Sequence, residues 1–267
     1  MPLVKPASIR MEDKTLLGGV SSTVQSGIAR IEFYHPAHNA MPGGLLTQLR
    51  EAIVSAGNNA DVKVIVLCSA GDRTFCAGAS FDELAAISDF ETGKQFFLGF
   101  ANVINAMRTC PKLIICRVQG KAIGGGVGLA AAADYCIATH FATIKLSELA
   151  VGIGPFVVGP AVARKVGQSA FMQLAANATE WQTAEWAKEK GLYHDVFPAI
   201  EQMDAYIDHL AERLANSSPD AMKALKQVFW EDTSHWDTLL PERAAISGKL
   251  VLTPYAKDAI AAFKSKA

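Results

Sequence analysis

The sequence has no surplus of charge. Twenty-five lysines and arginines face 26 aspartates and glutamates, for a net charge of −1, and neither sign forms a long run. That balance removes the electrostatic case for nucleic acid or a membrane surface as partner. Long hydrophobic runs are missing too. Half the residues are hydrophobic, yet no stretch of about eighteen is continuously apolar, so no bilayer span is expected. The opening residues Met1-Pro2-Leu3-Val4-Lys5-Pro6 lack the apolar centre of a secretion signal. There is no Cys-x-x-Cys. Cys68, Cys76, Cys110, Cys116 and Cys136 lie apart, two of them in apolar runs, and read as reduced core thiols of a cytoplasmic protein. His35-x-x-His38 has no further ligand at metal spacing, and neither His-Glu-x-x-His nor Gly-x-Ser-x-Gly occurs. No metal site is expected, and the zincin and serine-hydrolase classes drop out.

What is present suits one large domain, or one domain with an appendage, in 267 residues. Residues 27–34 alternate and predict a strand. Residues 45–56 carry Leu45, Leu46, Leu49, Ile53 and Val54 at helical spacing. Residues 62–68 form an apolar run suited to a strand buried on both faces. A loop over 69–80 follows, then helical segments to 108, then strands at 113–118, 135–139 and 143–146. Strands and helices alternating at this interval imply crossover connections and an α/β architecture. No close internal repeat is visible. Beyond about 195 the pattern turns helical, with Gly191 placed to end a helix over 184–190 and Ser218-Pro219 to start another. The division falls near 200: residues 1–199 as the core and 200–267 as a helical appendage, to which the family likeness described below assigns oligomerisation and pocket closure.

The most informative stretch runs from Gln119 to Asp134. Strand 113–118 leads into Gly124-Gly125-Gly126, and the small residues 129–133 favour helix. Glycines ahead of a helix leave unpaired N–H groups and the positive end of the helix dipole at one point, open to close approach. Such a point suits an anion, or an oxygen that becomes anionic during a reaction. A plain tight connection uses the same residues. A dinucleotide fingerprint, Gly126-x-Gly128-x-x-Ala131 with Glu148 twenty residues on, also matches. However, its first glycine belongs in the turn directly after the strand, and here Gly126 follows Val118 by eight positions.

Two segments combine into something more specific. Phe75-Cys76-Ala77-Gly78-Ala79-Ser80 and Gly120-Lys121-Ala122-Ile123-Gly124-Gly125-Gly126 resemble the two signatures of the enoyl-CoA hydratase/isomerase (crotonase) superfamily. Ser147-Glu148-Leu149-Ala150-Val151-Gly152-Ile153-Gly154-Pro155 is similar to its third, acid-bearing loop. The stretch 184–192 and the closing 258–264 resemble further parts of that family, so the likeness covers nearly the whole chain. It implies an α/β fold, a spiral of β-β-α turns with C-terminal helices, assembled as a homotrimer or a dimer of trimers. It implies an acyl-CoA substrate, with coenzyme A part of that substrate and no other cofactor. By this likeness the N–H groups of Ala77 and Gly125 form an oxyanion hole for a thioester, and Glu148 is the acid/base. Cys76, Gly78, Ala79, Ser80, Gly124, Gly126, Gly128 and Pro155 are then expected around the substrate.

The departures narrow the chemistry. The family's hydratases position water with two glutamates, and the first of these positions is Gly128 here. A lone carboxylate suits a proton shuttle that shifts a double bond, so isomerisation is the favoured expectation. Hydration of a short or branched 2-enoyl-CoA is the alternative, and a paralogue that binds CoA thioesters without turnover is a reading from another class. Ser80 stands where aspartate is common, and Phe156-Val157-Val158 where glycines are common, which should reshape the acyl pocket. Cys76 is better placed to pack than to act as a nucleophile. Arg73, Lys264 and Lys266 are isolated cations that could meet coenzyme A phosphates.

Overall fold

The computed structural model describes residues 18–264; Lys266 lies outside them. Its elements follow in chain order: β1 (Gly19–Gln25), β2 (Ile28–Tyr34), α1 (Gly43–Asn58), β3 (Val64–Ser69), β4 (Thr74–Cys76), α2 (Phe81–Ala86), α3 (Phe90–Thr109), β5 (Leu113–Val118), β6 (Lys121–Ile123), α4 (Gly125–Ala132), β7 (Tyr135–Thr139) and β8 (Ile144–Lys145). A 3-10 turn (Glu148–Val151) leads to α5 (Gly159–Ala176), α6 (Ala184–Glu189), β9 (Asp195–Phe197), α7 (Ile200–Ala215), α8 (Pro219–Phe229), α9 (Trp236–Leu250) and α10 (Pro254–Lys264).

Two sheets organise the chain. The larger has the order β1-β2-β3-β5-β7-β9, the smaller β4-β6-β8. Among the strands of the described residues, β1 and β2 pair antiparallel and the other ladders are parallel. Each strand of the small sheet follows one of the large sheet (β3 then β4, β5 then β6, β7 then β8), so the chain winds as a spiral. This is the α/β spiral expected from the sequence. The spiral repeats in space without repeating in sequence, because each turn contributes different residues to one shared core.

Local chemistry accounts for the elements. All six residues of β3 are buried, which is why it reads as one apolar run; β2 alternates because its outward face is only partly covered. Strand β1 carries no pattern to read, since its last five residues are all exposed. The Ser218 side chain accepts from the Ala221 N–H at 3.3 Å and Pro219 takes the first turn of α8. Gly191, at φ 85°, closes α6 with the Leu192 N–H donating to Ala187 O at 2.9 Å. The five cysteines are buried and free.

The helices after residue 200 close around this core. α7 covers the outer face of the large sheet through Met203, Ile207 and Ala211. α8 is pinned by a buried ion pair, Lys226 Nζ to Asp134 Oδ2 at 2.6 Å, with Trp230 Nε1 donating to Asp134 Oδ1 at 2.7 Å and the Lys226 ammonium also donating to Met107 O at 2.8 Å. Losing one partner of such a pair strands a buried charge, at a cost of about 3–5 kcal/mol. α9 packs along α3, where Gly93 and Gly248 face each other so closely that a Cβ on Gly248 would meet the Lys94 N at 2.6 Å. α10 stacks Phe263 on Phe81, ring centroids 4.2 Å apart, and Lys264 pairs with Asp82 at 2.7 Å. Among the described residues, no helix is long and apolar enough to cross a membrane.

Candidate active site

The cavity lies where the small sheet ends. Strands β4 and β6 run parallel, so the residues leaving their C-terminal ends, Ala77 to Ala79 and Gly124 to Gly125, emerge side by side. Two glycines permit the approach. Gly78 has φ 86°, and a Cβ there would lie 2.8 Å from the Ile123 carbonyl oxygen. Gly124 has φ 51° and ψ −113°, conformations that side chains rarely adopt. The Gly124 carbonyl accepts from the N–H of both Val127 and Gly128, at 2.9 and 3.2 Å. Helix α4 therefore begins at Gly125 itself, and the first amides of the helix have no acceptor within it. Gly125 has no room for a side chain, since a Cβ would lie 2.1 Å from the Phe100 ring.

Amide geometry separates two neighbours. The Ala77 N–H already donates to the His38 carbonyl at 3.2 Å, whereas the Ala79 N–H has no acceptor among the described residues. Both alanines line the cavity, as do Gly78, Gly124, Gly125 and Pro155. The free donor on the β4 side is thus Ala79, two residues beyond the one the signature suggested.

Glu148 closes the other side. It opens the 3-10 turn after β8, and β8 pairs with β6, so the turn is carried to the glycine loop. A Cβ on Gly124 would sit 3.0 Å from Glu148 Oε1; the carboxyl rests against bare backbone. The residue as a whole is half-buried, but Oε2 is enclosed and has no hydrogen-bond partner among the described residues. Burial pushes its pKa up to about 7, opposed in part by its own backbone N–H. Around it the lining is apolar: Phe97, Phe100, Ile123, Val151 and Val157 among others, with Ser147 and Ser247 as the polar exceptions. Among the described residues lining the cavity, Glu148 is the one titratable group. The enclosed part of the cavity is about 60 Å³, room for a small group beside Glu148 and less than a whole ligand fills.

Similarity to known proteins decides the family. Residues 23–264 match the family model described as enoyl-CoA hydratase/isomerase. The chain belongs to the enoyl-CoA hydratase/isomerase family. It is 30% identical over 234 residues, 82% of each chain, to the peroxisomal Delta(3,5)-Delta(2,4)-dienoyl-CoA isomerase of Arabidopsis thaliana. It is 29% identical over 232 residues, 86% of this chain and 88% of the other, to the short-chain-enoyl-CoA hydratase of Clostridium acetobutylicum. The enoyl-CoA hydratase structure from Bacillus halodurans superposes with a TM-score of 0.84 at 20% identity, covering 91% of this chain and 99% of that one.

Against that family's signatures, four expected site residues lie behind the cavity wall instead of lining it. Cys76 is fully buried, its thiol pushed up to about 12 by burial, and its Sγ accepts from the Gly78 N–H at 3.4 Å. Gly126 packs on it, with room for no Cβ: the nearest Cys76 atoms would be 2.7 Å away. Ser80 caps α2 by accepting from the Glu83 N–H at 3.4 Å, a task aspartate performs as well. Gly128 packs against Val158, whose Cγ1 would lie 2.4 Å from a Cβ there. Phe156, Val157 and Val158 all line the cavity. Lys264 is engaged by Asp82. Sequence reasoning missed Phe81, Phe97, Phe100 and Ser247. Their only sequence signal is helical apolar spacing, which marks any core-facing residue.

Proposed function

We propose that this protein is an acyl-CoA isomerase that stabilises a thioester enolate and carries a single proton on Glu148. The observation that carries the reading is the pairing of one enclosed, unpartnered carboxyl with a Gly128 site that Val158 closes to a second. A 3-enoyl thioester placed with its carbonyl oxygen between the Ala79 and Gly125 amides would lose a C2 proton to the Glu148 carboxylate. The electron pair moves onto the thioester oxygen. The same carboxyl then returns its proton at C4, giving the 2-enoyl product with no net change in the enzyme. Ala79, with its free N–H, replaces Ala77 in this scheme. Each preorganised amide would supply about 3–4 kcal/mol of transition-state stabilisation. A pKa near 7 suits a group that must both accept and release a proton at neutral pH.

The test is a panel of 3-enoyl- and 2-enoyl-CoA substrates with the wild type and Glu148→Gln. Isomerisation should exceed hydration in the wild type. The substitution should lower turnover by about 10²–10⁴ while a non-reacting CoA thioester still binds. Efficient hydration by the wild type would favour the hydratase reading, which the Clostridium relative represents. Binding without turnover of any acyl-CoA would leave an inactive binding protein.

A further inference from the structure

A second, wider depression adjoins the cavity, and the two share the wall Ile153, Gly154, Pro155 and Phe156. The Phe156 ring lies over Gly154, where a Cβ would meet it at 2.6 Å, so it forms the sill between the two spaces. Helix α9 runs beside both. Ser247 lines the first cavity, while Arg243, Leu239 and Trp236 line the second. These positions fall on one helix face, and Arg243 precedes Ser247 by four residues, about 6 Å along the axis.

Arg243 is half-buried, and no carboxylate of the described residues pairs with it. The other arginine of the depression, Arg164, is engaged: it donates to the Phe229 carbonyl and lies over the Trp230 ring. Asp232 and His235 also border the space but are exposed. A partly desolvated guanidinium with no counter-charge favours an anion with planar, paired acceptors.

We infer that the second depression holds the far end of the acyl group, and that Arg243 binds a terminal carboxylate there. The preferred substrates are mono-CoA thioesters of dicarboxylic acids, whose chains cross the Phe156 sill. This rests on the acyl-CoA reading above and names its substrate class. The carboxylate faces Arg243 across apolar walls from Leu239, Trp236 and Phe156, which would lower the local dielectric and strengthen the pair.

Calorimetric titration tests it without any turnover. Saturated thioesters are paired by chain length: hexanoyl- with adipyl-CoA, octanoyl- with suberyl-CoA, decanoyl- with sebacyl-CoA. In at least one pair the wild type should bind the carboxylated member about ten-fold more tightly. Arg243→Met should bring that ratio to about one, and Arg243→Lys should keep part of it. Equal affinities within all pairs in the wild type, or a preference that survives Arg243→Met, would overturn the subsite alone. Failure to bind any thioester would overturn the acyl-CoA reading and the subsite with it. Binding with the expected preference but no isomerisation would leave the subsite standing and remove only the proposed chemistry.

Discussion

Gly128 and Val158 interlock: a Cβ on the glycine would lie 2.4 Å from Val158 Cγ1 and 2.8 Å from its Cβ. The side chain missing from α4 has its space filled from the loop before α5. A side chain at 128 and a valine at 158 therefore compete for one space.

Restoring the carboxylate should accordingly need two substitutions. Gly128→Glu alone forces a large group against Val158 and buries a charge beside apolar walls. Overpacking of this kind typically costs about 1–3 kcal/mol, before the charge is counted. Gly128→Glu with Val158→Gly should recover much of that stability and raise hydration of 2-enoyl-CoA relative to isomerisation. Urea unfolding and product analysis read the two effects; a single Gly128→Glu variant as stable as wild type would contradict the interlock.

Glu148 sets a pH dependence in two observables. Its carboxyl is raised from 4.5 to about 7 in the fold, so the native state holds a proton that the unfolded chain has released between those values. Stability should fall as pH rises from about 4.5 to 7, by at most about 3 kcal/mol. Glu148→Gln should remove that fall and unfold at higher urea concentration than wild type at pH 8. In the same range kcat/KM should rise with pH and level off above about 7, because the free enzyme must present the carboxylate. A rate that declines through pH 7 would mean that the protonated acid starts the reaction.

Hydrogen exchange distinguishes the two candidate amides. The Ala77 N–H is bonded to His38 O and should exchange slowly without ligand. Those of Ala79 and Gly125 should exchange faster, then slow on addition of a non-reacting acyl-CoA. Protection gained at Ala77 instead would return it to the oxyanion role.

A prediction about assembly rests on α8. It buries Met222 and Trp230 against its own core but leaves Leu225, Val228 and Phe229 exposed at 48%, 57% and 45%. Exposed apolar side chains grouped on one helix suit a subunit contact. Light scattering should give three or six chain masses. Replacing Leu225 and Val228 with serine should shift the population to smaller species, and a wild-type monomer at micromolar concentration would contradict this.

The sequence by itself determined the elements whose environment is simple. A strand buried on both faces, such as β3, must be apolar throughout, and helix ends such as Ser218-Pro219 and Gly191 obey local backbone chemistry. The signature stretches likewise marked Glu148 and the glycine loop, because close backbone approach admits little but glycine. Tertiary structure decided the rest. Strands β4, β6 and β8 are two or three residues long, too short to carry a period, and exist because their neighbours pair with them. Whether Ala77 or Ala79 has a free amide depends on the His38 carbonyl, nearly forty residues away in the chain. The spacing of apolar residues on α3 and α9 shows that Phe100 and Ser247 face inward, but only the packed fold shows that inward means this cavity. A carboxylate's proton affinity depends on what surrounds it. Glu148 is an ordinary glutamate in the sequence and a neutral-range acid only after Gly124, Phe97 and Val157 enclose it.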